Sequence, residues 1–190
     1  MTGRDPATDP SSYRPSVGCC VFNAGGLVWV GRRVRSGAGW QMPQGGIDDG
    51  ETPLTAGLRE LAEETGIRSV VLLGETSDWL TYDLPPDLPH PPRWAAEYRG
   101  QRQKWLALRF VGSEDEIDLD ANNHPEFDAW RWVPLAEVPQ LVVPFKRPVY
   151  ERVAAEFARF ARPTAVRSAE HESPGDGSSG TESSGGRPRS

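Results

Sequence analysis

Glu60 is followed at three and four residues by Glu63 and Glu64. On a helix turning about 100° per residue, that spacing places the carboxylates together on one face. The helix is legible from its ends. Thr52 can cap its start, Pro53 suits a first turn that needs no N–H, and Gly66 can close it in the left-handed conformation. Like charges at this spacing cost roughly 0.2–0.5 kcal/mol per pair in water and more where water is excluded. Two readings follow. The face is either a solvated acidic surface or the seat of a hard divalent cation such as Mg²⁺, which takes carboxylate oxygens and completes its shell with water and substrate phosphate. The residues before the helix favour the cation. Gln41-Met42-Pro43-Gln44-Gly45-Gly46-Ile47-Asp48-Asp49-Gly50-Glu51 is a glycine-rich loop in which backbone can approach an ion or a phosphate closely.

The elements that must hold this face follow from periodicity. Leu54, Leu58, Leu61 and Thr65 share the other side of the helix and are expected to pack, leaving the glutamates free to work. Val17-Gly18-Cys19-Cys20-Val21-Phe22 and Leu27-Val28-Trp29-Val30, separated by Asn23-Ala24-Gly25-Gly26, read as a β-hairpin. Further strands are expected over residues 70–73, 79–82, 104–111 and 127–133, and the proline-rich segment 84–92 is expected to be a loop. A second helix is predicted over 148–161, where Val149, Val153, Phe157 and Phe160 form one apolar stripe. Gly57 is an oddity inside the first helix, at a cost of about 1 kcal/mol relative to alanine.

Composition predicts one domain over residues 13–161, a flexible segment over 1–12 and a disordered Ser/Gly-rich tail over 162–190. No run of about eighteen apolar residues suggests a membrane span, and residues 1–12 lack the apolar core of a secretion signal, so a cytoplasmic location is expected. Cys19 and Cys20 are adjacent, point to opposite faces of a strand and are read as packing residues. His90, His124 and His171 show no zinc spacing. The net charge of -6 argues against bulk electrostatic binding of nucleic acid while permitting a local basic pocket. Arg32, Arg33 and Arg35, then Arg99, Arg102 and Lys104, then Lys146 and Arg147, are basic clusters that suit either such a pocket or a solvated surface.

From Gly45 there are five residues to Glu51, seven more to Arg59-Glu60-Leu61, one to Glu63-Glu64 and one to Gly66-Ile67. These residues, 45–67, match the Nudix box at every defining position, and by that resemblance the chain is identified as a member of the Nudix family. The resemblance implies an α/β fold, an α/β/α sandwich with a mixed β-sheet between helices, and hydrolysis of a pyrophosphate linked to a nucleoside. Tyr13-Arg14-Pro15, Trp40-Gln41, the Gly100 to Trp105 segment, the Pro125 to Val133 segment and Phe145-Lys146-Arg147-Pro148 resemble the bacterial RNA pyrophosphohydrolases, signatures shared with dinucleoside polyphosphate hydrolases. The favoured activity is conversion of 5′-triphosphate or 5′-diphosphate RNA ends to 5′-monophosphate, which promotes RNA decay. A dinucleoside polyphosphate hydrolase is the alternative, and a non-catalytic nucleotide or RNA sensor is disfavoured because it has no need of three mutually repelling carboxylates.

The resemblance also distributes roles. Gly45, Glu60, Glu63, Glu64 and Glu126 are implied metal ligands for two or more Mg²⁺ or Mn²⁺ ions, and Glu60 or Glu63 is the expected general base for in-line attack by water. Glu51, Arg59 and Gly66 are expected to be structural within the box, with Arg59 pointing away from the metal face and holding Glu51. Arg14, Arg33, Lys104 and Lys146 are candidates for phosphate, Gln101 for a hydrogen bond, and Tyr82 and Phe145 for flanking a base. The implied partner is an RNA end or a dinucleoside polyphosphate, with no membrane and no obligate protein partner.

Overall fold

A computed structural model describes residues 9–34, 39–89, 91–120 and 125–164. Arg35, His90, Asn122, Asn123, His124, His171 and residues 165–190 of the expected tail lie outside the described residues. Inside the segment read as flexible, Pro10–Ser12 form a short 3-10 turn capped by Asp9.

The sheet is organised by its longest pair. β1 (Tyr13–Phe22) runs parallel to β7 (Gly100–Phe110), in register from Tyr13↔Gly100 to Phe22↔Arg109. β1 is buried on both faces, which explains its unbroken apolar run. Val17, Cys19 and Val21 enter one core layer, while Cys20 and Phe22 enter the other. The adjacent cysteines are therefore both buried and both free.

β2 (Val28–Arg33) follows β1 through a tight turn, but the two pair only at Phe22↔Val28. The expected hairpin thus closes at its turn and then splays. β2 instead pairs along its length with β8 (Phe127–Val133), while β1 takes β4 (Gln44–Gly46) at Ser16 to Gly18. β3 (Trp40–Gln41) borders β2. β5 (Val70–Glu75) and β6 (Leu80–Asp83) both pair antiparallel with β7. The result is a mixed eight-stranded sheet.

Helices cover both faces. α1 (Pro53–Thr65) closes one layer with Ala56 and Leu61. α3 (Arg147–Phe157), preceded by the short α2 (Val138–Leu141), closes the other with Val149, Tyr150, Val153 and Phe157. No helix among the described residues is long and apolar enough to cross a membrane.

The termini of α1 are made as its sequence signals require. Thr52 Oγ1 accepts from Thr55 N at 3.1 Å, and Gly66 adopts φ 76° while donating to Ala62 O at 3.0 Å. Its packing face is rotated from the expectation. Leu54 and Leu58 are exposed, whereas Ala56, Gly57, Leu61, Glu64 and Thr65 are buried. Small residues, not the two leucines, meet the sheet. A Cβ on Gly57 would stand 2.5 Å from Leu106 Cδ1, and the Cys19 thiol donates to Gly57 O at 3.3 Å. The glycine that weakens the helix therefore lets it approach β1 and β7 closely, and the rotation turns Glu60 and Glu64 inward.

Candidate active site

The loop entering α1 is tied down by Arg59. Its Nε and Nη2 donate to the two Glu51 oxygens at 2.9 and 2.8 Å, and Nη2 also donates to Gly46 O at 3.1 Å. Glu51 accepts in addition from Asp48 N at 3.0 Å. The Arg59 bonds, aided by this backbone bond, hold the Glu51 carboxyl down at about 2. Arg59 does not point away from the glutamates as expected. Its Nη1 donates to Glu60 Oε1 at 2.9 Å and lies 3.5 Å from Glu63 Oε2, because the fork is wide enough to serve both sides of its turn.

Glu60 lies directly on Gly45, where a Cβ would overlap its carboxyl group. Burial raises its pKa, against the lowering pull of Arg59. Glu64 is buried and accepts from Gln44 N at 3.0 Å. Its pKa is raised well above the usual carboxylate range, first by burial and then by the charge of Glu126, with Glu60 adding to the repulsion. Glu63 remains half-exposed at 48%. Glu126, just before β8, pairs with Arg33 at 2.7 Å.

Basic and aromatic groups adjoin these carboxylates. The Arg14 guanidinium occupies the space beside Gly46 that a side chain there would fill, and it acts electrostatically on Glu60. Lys146 is buried, donates to Gln41 Oε1 at 3.2 Å and sits 5.5 Å from the Tyr82 ring centroid. Burial and the neighbouring Arg33 lower its pKa to about 7, against the opposing pull of Glu64 and Glu126. Tyr82 donates its hydroxyl to Gln101 Oε1 at 2.6 Å, and its ring tilts against Phe145 with centroids 5.6 Å apart. The structure thus gathers Arg14, Arg33, Tyr82, Gln101, Phe145 and Lys146 around the acidic face. Lys104 is the exception. Its ammonium is spent on Thr76 O at 2.7 Å and Ser77 O at 3.2 Å, because alternation along β7 turns it to the face opposite Gln101 and Gln103.

The donor set suits a hard divalent cation. Every candidate ligand is an oxygen, and Glu64 is buried beside two further carboxylates whose repulsion a cation would relieve. Among the described residues no three acidic, histidine or cysteine side chains already converge as a metal site. Glu60 and Glu126 are instead held by Arg59 and Arg33.

The NUDIX domain family matches residues 12–153. The chain belongs to the Nudix family. An RNA pyrophosphohydrolase of Caulobacter vibrioides is 56% identical over 156 residues, covering 81% of this chain and 91% of that protein. One from Agrobacterium fabrum is 55% identical, covering 76% and 91% respectively. The E. coli dihydroneopterin triphosphate pyrophosphohydrolase structure aligns with a TM-score of 0.59 at 20% identity, covering 76% of this chain and 98% of that one, and so shares the Nudix fold. Two Nudix-site contacts escaped sequence reasoning: the Gln44 amide on Glu64 and the Gln41 side chain on Lys146. The available signal was position, since the two glutamines flank Met42-Pro43 just before the box.

Proposed function

We propose that this Nudix hydrolase acts on RNA 5′ ends, converting a 5′-triphosphate or 5′-diphosphate to a 5′-monophosphate. One observation carries the chemistry: buried Glu64, fixed by Gln44 N–H, lies between the Glu60 face of α1 and the Arg33–Glu126 pair. Acidic oxygens that can hold cations and basic groups that can hold phosphate therefore share one site. The RNA substrate is supported by the kinship to relatives named RNA pyrophosphohydrolase across most of the chain.

Glu60, Glu63, Glu64, Glu126 and the Gly45 backbone oxygen would hold Mg²⁺ or Mn²⁺. When bound, such cations supply charge neutralisation to the polyphosphate and acidify water. Arg14, Arg33 and Lys146 orient the phosphates, and Tyr82 with Phe145 forms the aromatic wall beside them. Water attacks phosphorus in line, a P–O bond of the anhydride breaks, and pyrophosphate or phosphate departs. Glu60 or Glu63 accepts the water proton.

Comparing kcat/KM for 5′-triphosphorylated RNA and a dinucleoside tetraphosphate, at equal concentration with Mg²⁺, tests the substrate. Preference for RNA is expected. Preference for the dinucleotide would move the activity to small-molecule turnover.

A further inference from the structure

Two side-chain amides at the edge of this site are buried with atoms that no described residue satisfies. Gln41 is 5% exposed and its Nε2 has no hydrogen-bond partner; Gln44 is 9% exposed and the same holds for its Oε1. A buried amide donor left unmade is costly, so its retention calls for a ligand or an ordered water. The Gln44 amide is oriented by a chain of donors, Trp105 Nε1 to Gln103 Oε1, Gln103 Nε2 to Gln101 Oε1 and Gln44 Nε2 to the same Gln101 oxygen, so the atom it leaves unmade is an acceptor and cannot meet an anion. The Gln41 amide leaves a donor. Lys146 Nζ donates to its Oε1 at 3.2 Å, and the ammonium has no lone pair to accept from an inverted amide. Lys146 therefore fixes Nε2 as a buried donor whose hydrogen bond is unmade.

The surroundings identify the acceptor. Arg33, Glu64 and Glu126 all lie close enough to Lys146 to act on its ammonium. A polyphosphate bridging cations on those carboxylates would pass beside Lys146 and Arg33. We propose that Gln41 is a substrate-binding residue whose Nε2 donates to a phosphate oxygen of the polyphosphate, on the Lys146 side of α1. This deepens the function proposed above and rests on it only for the identity of the substrate. A neutral donor completes the phosphate seat without adding another cation to those already beside Glu64.

Calorimetric titration of inorganic tripolyphosphate into the full chain with Mg²⁺ tests it, using wild type, Gln41→Met and Gln41→Glu, alongside KM for triphosphorylated RNA. Methionine keeps the volume and removes the donor. Tripolyphosphate binding is expected to weaken about tenfold, the RNA KM to rise by a similar factor, and kcat to stay within about twofold. Unchanged tripolyphosphate binding overturns the proposal; a raised RNA KM would then indicate that Gln41 meets a nucleobase, and an unchanged KM that it meets water. If Gln41→Met does not fold, Gln41→Glu decides, since it retains an acceptor for Lys146: weaker binding supports the assignment, and equal or tighter binding overturns it. Gln41-dependent tripolyphosphate binding by a wild type that leaves RNA intact would refute the RNA reading alone.

Discussion

Replacing Gly57 with alanine sets two effects of opposite sign against each other. In an exposed helix, the alanine would stabilise by about 1 kcal/mol. In α1 the new methyl would stand 2.5 Å from Leu106 Cδ1, 3.2 Å from Val17 Cγ2 and 3.3 Å from Cys19 Sγ. Carbon atoms in contact rest about 3.5–4.0 Å apart, so the closest approach must open by roughly 1 Å. Leu106, Val17 and Cys19 are all fully buried and can yield only by pushing other core groups. Overpacking of this kind costs about 1–3 kcal/mol, which outweighs the gain in propensity and leaves a net loss of about 1 kcal/mol. With a urea slope of about 1–3 kcal/mol per molar, the unfolding midpoint should fall by roughly 0.5 M. Activity should suffer more than stability, because α1 carries Glu60 and Glu64 and a misplacement of about 1 Å at a catalytic group can cost roughly 100-fold. Leu106→Val, which removes the clashing atom, should restore part of the loss in the double variant, with a coupling of about 0.5 kcal/mol or more. A Gly57→Ala chain more resistant to urea than wild type would refute this packing argument, as would strict additivity of the two substitutions.

Gly45→Ala should expel the Glu60 carboxyl from its seat on the loop and reduce RNA turnover by roughly 100-fold, while the melting temperature moves little; unaltered turnover would show that Glu60 does not act from that position. Glu63→Gln should lower turnover by about tenfold or more, and unchanged kcat/KM would remove Glu63 from the mechanism. Glu51 has its pKa depressed from 4.5 to about 2 in the folded chain, so its contribution to stability is present above 4.5 and is lost as pH falls through about 2. Urea midpoints measured from pH 5 to 2 should therefore show a shallower acid decline in Glu51→Gln than in wild type, and parallel curves would contradict the Arg59–Glu51 account.

What was legible in the sequence was what local chemistry decides. Thr52, Pro53 and Gly66 bound α1 because a cap and a left-handed turn need only their neighbours. The α3 stripe of Val149, Val153 and Phe157 is buried as its periodicity predicts. Long-range pairing decided the rest. β7 begins at Gly100, earlier than the predicted 104, because the polar Gly100 to Gln103 segment finds Tyr13 to Ser16 as a parallel partner. That extension sets Gln101 beside Tyr82 and turns Lys104 away. The rotation of α1 was hidden for a related reason: Leu54 and Leu58 outrank Ala56 and Gly57 in hydrophobicity, yet the narrow space over Leu106 admits only the small residues. Among the site groups, the acidic face and its loop were legible from spacing. The Gln41–Lys146 contact was not, since it joins residues 105 positions apart.

Glu64→Gln tests the central claim most directly. The amide keeps an oxygen for the Gln44 N–H and nearly the same volume, so the fold should persist while the charge is lost. Single-turnover hydrolysis of 5′-triphosphorylated RNA with saturating Mg²⁺ should slow by roughly 100-fold or more in this variant, with its melting temperature close to that of wild type. Hydrolysis within a few-fold of wild type by a folded Glu64→Gln chain would contradict the account, because the reaction would then not depend on the buried carboxylate around which the site is built.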